Sequence, residues 1–262
     1  MPLKNKGDTV IALMRRHAIF GSLVLLLSFD NGAFTFVQAP AASEIPQYSV
    51  GPLTDYSLAL PGTNDVLRLR RGQRYNAPDS SLPELGEQSD LGLVTSDSSH
   101  TYQDPLPFSQ SDAVVAGQVT AGQAYLSDDK RDIYSEFNVS VQEALTVSSA
   151  RHIQSGDSVD VERHGGAIRL PSGKILFRAL RDFSMPLVGK RYLLFLKYDP
   201  STEDFHIVTG YQLDGEHTYK LDVYSYSDRN NDKLIHSLRE QGQSEKQLLD
   251  RVKAIAPPNW EK

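Results

Sequence analysis

From residue 111 to residue 223 the chain alternates short apolar, β-branched runs with turn residues, and this rhythm constrains the fold more than any other feature of its 262 residues. Ala113-Val114-Val115-Ala116-Gly117-Gln118-Val119-Thr120 opens the pattern, with a first half apolar on both faces, as a strand inside a core requires. Gly117 within it predicts a bend or a close approach of another backbone. Lys130–Asp132 is a polar connection into Tyr134–Val141, where Phe137, Val139 and Val141 share one face of a period-two pattern. The alternation slips at Gln142-Glu143 before Leu145 and Val147, and a bulge there would restore the register.

Ser155-Gly156-Asp157 turns the chain into a third strand around Val159 and Val161, and Gly165-Gly166 breaks it before Ile168 and Leu170. Pro171-Ser172-Gly173 precedes Ile175-Leu176-Phe177. Arg191-Tyr192-Leu193-Leu194-Phe195-Leu196-Lys197-Tyr198 is the most apolar run, and Asp199-Pro200-Ser201-Thr202 leads to Phe205–Leu213. Asp214-Gly215 is a hairpin sequence ahead of Tyr219, Leu221 and Val223. Short strands with turns every 8–15 residues or so predict a closed antiparallel barrel or a sandwich. About 110 residues and roughly six strands fit a mainly β fold, a small antiparallel OB-like barrel over residues 111–226.

The flanks read differently. Residues 1–41 are expected to be a signal peptide. Arg15 and Arg16 give a positive start, Ala18–Phe29 a short apolar stretch, and Ala39-Pro40-Ala41 the small residues before cleavage after Ala41. Asp30 and Asn31 end the apolar stretch short of the roughly 20 residues that span a bilayer, so no membrane span is expected after cleavage. Met14 makes a better start for such a signal than Met1. Residues 42–110, rich in Ser, Pro, Gly, Asp and Gln, hold no period for long and read as a disordered linker, with one short strand at Leu58–Leu69. Within it Arg68, Arg70, Arg71 and Arg74 read as solvated charges. Residues 227–262 read as a helical tail, with a helix over Ser244–Ala256 preceded by a helical turn at residues 232–239. Ser244 and Gln247 have capping-box spacing, and Leu248, Leu249, Val252 and Ile255 form an apolar stripe for the barrel.

Composition narrows the chemistry. The formal net charge of −6 lacks the basic footprint of a nucleic-acid binder. With no cysteine, the chain has no disulfide, no thiolate catalysis and no cysteine–metal site. None of His17, His100, His152, His164, His206, His217 and His236 shows the local pairing of a metal site. His206 and His217 could face each other across adjacent strands, although exposed strand histidines account for them better. No serine has a nucleophile-elbow context. Asp199, Glu203, Asp204, Asp214 and Glu216 cluster at two turns and read as solvated. Neither a catalytic set nor a cofactor is expected.

Ser111–Val119, Phe137–Leu145, the Gly165-Gly166 break and Gly189-Lys190-Arg191-Tyr192-Leu193-Leu194-Phe195-Leu196 together resemble the OB-type barrel of tissue metalloproteinase inhibitors and netrin-like modules, in the form of a bacterial exported domain. The resemblance implies a fold and a tendency toward protein or glycan binding. Those inhibitors chelate a protease zinc through an N-terminal cysteine that this chain lacks, so that mechanism does not carry over. The expectation is an exported, periplasmic or extracellular, non-enzymatic binding or protein-interaction module. Its aromatic candidates are Tyr192, Tyr198, Tyr211 and Tyr219, because OB barrels take ligands on aromatic faces. The alternatives are a hydrolase or metal-dependent enzyme with a site built from scattered residues, favoured by a cleft with a strongly shifted acid or histidine, and a loop-type protease inhibitor.

Overall fold

A computed structural model describes residues 51–60, 65–78, 83–88, 93–95, 104–147, 152–180, 183–222 and 243–256. All belong to one compact unit, Glu44–Lys262. The expected signal peptide, the helical turn at residues 232–239 and Val223 lie outside the described residues.

Five strands close the barrel: β3 (Ala113–Leu126), β4 (Ile133–Val147), β5 (Ser158–His164), β8 (Arg191–Asp199) and β9 (Asp204–Leu213). β3 pairs antiparallel with β4 and with β8, β4 with β5, and β8 with β9. Closure comes from a short parallel contact of β5 with β9, through Val161↔Phe205 and Glu162↔His206. The strand order is that of an OB-like barrel. β10 (Thr218–Lys220) extends β9 across the Asp214-Gly215 hairpin. Inserted between β5 and β8, β6 (Gly166–Arg169) and β7 (Ile175–Leu180) form a hairpin. Its two edges carry β1 (Leu53–Asp55) and β2 (Leu93–Thr95), both parallel.

Alternation explains the interior. Val115, Val119, Phe137, Val139, Val141, Val159, Val161, Leu194, Leu196, Phe205 and Ile207 converge from all five strands. Each such side chain contributes about 1.5–3 kcal/mol on burial. The expected slip on β4 is real: Gly117 pairs with Val141 but Ala116 with Glu143, so Gln142 is the extra residue. A Cβ on Gly117 would stand 2.6 Å from the Ser140 carbonyl oxygen, the close approach its place in the strand predicts. β8 is apolar on both faces because Tyr192, Leu194 and Leu196 fill the barrel while Leu193 and Phe195 point outward under a helix.

That helix is α3 (Glu245–Ile255). Its capping box forms as the sequence predicts: the Gln247 N–H donates to Ser244 Oγ, and the Ser244 N–H donates to Gln247 Oε1. Leu248 and Val252 are fully buried against Val114, Ala116, Leu193, Phe195, Tyr211 and Leu213. The stripe is narrower than expected, since Ile255 lies beyond the seam and is 50% exposed.

The reading of residues 42–110 as a disordered linker needs correction where the structure describes them. Besides β1 and β2, they supply α1 (Tyr56–Ala59), α2 (Val66–Arg74) and a 3₁₀ turn at Phe108–Gln110. The strand expected at Leu58–Leu69 is absent there: α1 and the start of α2 take its described residues. Asp65 caps α2 by accepting from the Arg68 N–H at 3.0 Å, and Leu and Arg are good helix formers. The compositional argument missed this segment because its apolar residues come singly: Ala59, Leu106 and Phe108 are buried in two apolar clusters, while α2 is held by ion pairs and hydrogen bonds. Among the described residues no helix is long and apolar enough to cross a membrane.

Candidate functional site

α2 lies across the outer face of β4, β5 and the start of β9. It is held by the β3–β4 and β8–β9 connections on either side. These are the second and third barrel strands and the two loops on which OB barrels take ligands. Its buried residues are Arg71 and Gly72, with no apolar side chain among them, and Val66 is 61% exposed. Gly72 permits the contact, because a Cβ there would stand 3.1 Å from the Asp128 backbone nitrogen.

Of the four arginines read as solvated charges, Arg70 is exposed, whereas Arg71 is buried and Arg68 and Arg74 are half-buried. Arg71 Nε pairs with Asp204 Oδ2 at 2.6 Å, its Nη1 donates to Glu136 Oε2 at 3.3 Å, and its Nη2 donates to the Thr202 carbonyl at 3.2 Å. Arg74 donates to Glu162, to Thr202 Oγ1 and, at 2.6 Å, to Asp199 Oδ2. Arg70 donates to the Ser201 carbonyl at 3.1 Å, and the Arg68 guanidinium lies 4.5 Å from the Tyr125 ring centre. Tyr75 ends the segment. Its hydroxyl donates to Glu162 Oε1 at 2.9 Å, and its ring stacks on Tyr134 with centroids 4.8 Å apart and planes 11° from parallel. Tyr134 stacks in turn on Tyr125, and His164 flanks Tyr75 at 5.3 Å. Asn76 and Ala77 exchange hydrogen bonds with Asp129, both at 2.9 Å, and so anchor the end of the segment to the β3–β4 connection.

Charge in this trough is unbalanced: Glu136, Glu162, Asp199 and Asp204 meet the guanidiniums of Arg71 and Arg74. His206 adds a ring nitrogen 2.6 Å from Glu162 Oε1. Burial, and then the charge of Glu162, push Asp204 up to about 6. Burial also raises Glu136, although Arg71 opposes the shift. At Asp199, hydrogen bonds from Ser201 and the charge of Arg74 outweigh burial and hold the carboxyl below its ordinary range. Glu162 is fully buried and its Oε2 has no hydrogen-bond partner among the described residues. Asp199 and Asp204 are therefore not the solvated turn acids expected. Asp204 is 2% exposed and belongs to the trough.

The four candidate tyrosines do not share a face. Tyr192 is inside the barrel, where its hydroxyl accepts from the Leu187 N–H at 2.9 Å and burial pushes it up to about 12. Tyr211 sits under α3 and donates to the Pro105 carbonyl at 2.6 Å. Tyr198 packs on Phe205 at 5.1 Å, and Tyr219 lies near His217 at 6.2 Å. His206 and His217 are not opposed either. His206 faces Lys197 and Glu162 in the strand registers, while His217 closes the Asp214 turn. Among the described residues no group of three or more histidines and carboxylates could hold a metal ion.

The aromatic residues that meet at this face are Tyr75, Tyr134 and Tyr125. A readable hint existed in Asp65 ahead of a Leu- and Arg-rich run with arginines three apart, and in Glu136 and Glu162 at mid-strand positions. Pairing of β4 with β5 sets Glu136 opposite Glu162, and closure through β9 adds Asp204 beside them under that helix. No protein-family model matches the chain, and no curated protein matches it in sequence.

Proposed function

We propose that this chain is an exported, non-enzymatic binding module whose binding surface is the outer face of β4, β5 and β9. One observation carries the reading: the barrel already grips a peptide segment on that face, through buried carboxylates and a stacked tyrosine, with no apolar side chain of the helix buried. A buried ion pair is a poor source of stability compared with apolar packing of the same volume, because desolvation consumes most of the Coulomb gain. What charged docking supplies is selectivity for the group that fits. A second reading, a hydrolase, draws on the raised Asp204 and Glu136, since shifted acids suit proton transfer.

The test is capture of proteins and glycans by the full-length chain and by its Glu162→Gln variant, alongside turnover of ester, peptide and glycoside panels. Capture that depends on Glu162, without turnover, is the expected result. Capture indifferent to Glu162→Gln would move binding off this face, and turnover lost in Glu162→Gln would replace the module with the hydrolase. Export is tested separately by N-terminal sequencing of the mature protein, expected to begin at Ala42.

A further inference from the structure

The segment on the binding face has the features of a ligand rather than of a core element. At nine residues, α2 is too short to be stable as an isolated helix, so it takes its form on the barrel. Its grip on the carboxylates and on Tyr134 comes from three side chains. Arg71 and Arg74 stand one turn apart and share Asp204, Arg71 also reaching Glu136 and Arg74 also reaching Glu162 and Asp199, while Tyr75 lays a flat ring on Tyr134. The trough offers more than this occupant uses, because four carboxylates meet its two guanidiniums and the barrel's own His206, and Glu162 Oε2 is buried without a hydrogen-bond partner among the described residues. Arginine suits such a place better than lysine, since its planar fork serves two acceptors at once.

We infer that Arg71-Gly72-Gln73-Arg74-Tyr75 is a resident competitor, and that the partner of this face is a protein segment presenting two arginines three positions apart followed by an aromatic ring. The inference rests on the binding-module reading above and names its partner class. The resident segment is tethered, so its effective concentration is on the order of millimolar. A partner present at micromolar levels must therefore bind about a thousandfold better than the free segment to displace it. The excess carboxylate supplies that margin to a segment carrying one more cation. A sugar could stack on Tyr134, but it would leave the buried carboxylates without counter-charge, so a cationic peptide is the occupant that fits.

The experiment uses the full chain and a labelled synthetic peptide of residues 65–78. Fluorescence anisotropy is expected to show at least tenfold tighter binding to the Arg71→Ala/Arg74→Ala protein than to the unaltered protein. Adding Glu162→Gln to that variant should weaken binding tenfold or more, and a peptide with both arginines replaced by lysine should also bind less well. Near-UV circular dichroism establishes that the variant is folded. A folded variant that ignores the peptide overturns the inference. An independent readout needs no variant: millimolar unlabelled peptide should accelerate amide exchange at residues 66–74 of the unaltered protein severalfold, and unchanged exchange overturns the inference equally. A concentration-dependent dimer of the unaltered chain would assign the trough to a second copy and would also overturn it. A partner captured through Glu162 that the peptide does not displace sinks this inference while the binding-module reading stands. Capture independent of Glu162 sinks that reading instead.

Discussion

Helices α2 and α3 both lie on the outside of one barrel, and they are held there by opposite physics. α3 buries Leu248 and Val252 in a dry seam with Leu193, Phe195 and Tyr211, and keeps its ion pairs, Arg191–Glu245 at 2.9 Å and Lys253–Glu143 at 2.7 Å, at the rim. α2 buries Arg71 and Gly72, while its apolar Leu67 and Leu69 are only half-buried and Val66 is exposed. Apolar packing is non-directional and indifferent to which residue supplies the area. A guanidinium set among carboxylates demands a particular donor in a particular place. The first kind of contact builds a core, and the second discriminates between occupants. α3 makes a contact of the first kind and α2 one of the second.

The largest effect should come from the apolar helix. Leu248→Ala should lower global stability by about 2–5 kcal/mol in chemical denaturation, because it opens a cavity in a sealed seam. A loss under about 1 kcal/mol would erase the distinction between the helices. Arg74→Ala should cost at most about 3 kcal/mol, the low end for breaking a buried pair, because water can re-enter the trough once α2 lifts. Its signature is local: amide exchange rises at residues 66–74 while protection at Leu248–Val252 is unchanged. Equal loss of protection at both helices would show that α2 is part of the core. Ser244→Ala should remove about 1 kcal/mol by leaving the first turn of α3 uncapped, measured as a shift in the denaturation midpoint.

The smallest effect is a slope. Asp204 carries a folded-state value raised to about 6 from an ordinary carboxylate value. Over that window the folded chain holds more protons than the unfolded one, so this group's contribution to stability is largest at low pH and is lost as pH rises through about 6. Stability measured from pH 4 to pH 7 should therefore fall less steeply with rising pH in Asp204→Asn than in the unaltered protein. Parallel curves would mean that Asp204 is not desolvated by the docked segment.

The legible part of the molecule was the part built on apolar period. Residues Ala113–Leu213 announced their strands through alternation, the bulge at Gln142 through its interruption, and the close approach at Gly117 through a glycine inside a strand. α3 announced itself through Ser244, Gln247, Leu248 and Val252. Arg71 and Arg74 announced nothing of their fate, because an arginine bound for a buried trough and one bound for solvent look alike in a Ser- and Pro-rich stretch. The tyrosines misled for a related reason: Tyr192 and Tyr211 suit strands for their bulk, and the parity of each position decides whether its ring enters the barrel or a helix seam.

The sequence by itself determined the barrel and its capped C-terminal helix, because side-chain period and capping are local and act within a few residues. Only the tertiary structure decided that Glu136, Glu162, Asp199 and Asp204, contributed by β4, β5, the end of β8 and the start of β9, converge on one face and that residues 65–78 return to fill it. Coulomb attraction and hydrogen bonding depend on distances between groups that are remote along the chain. Those distances exist only once β5 has paired with β9 and the barrel is closed.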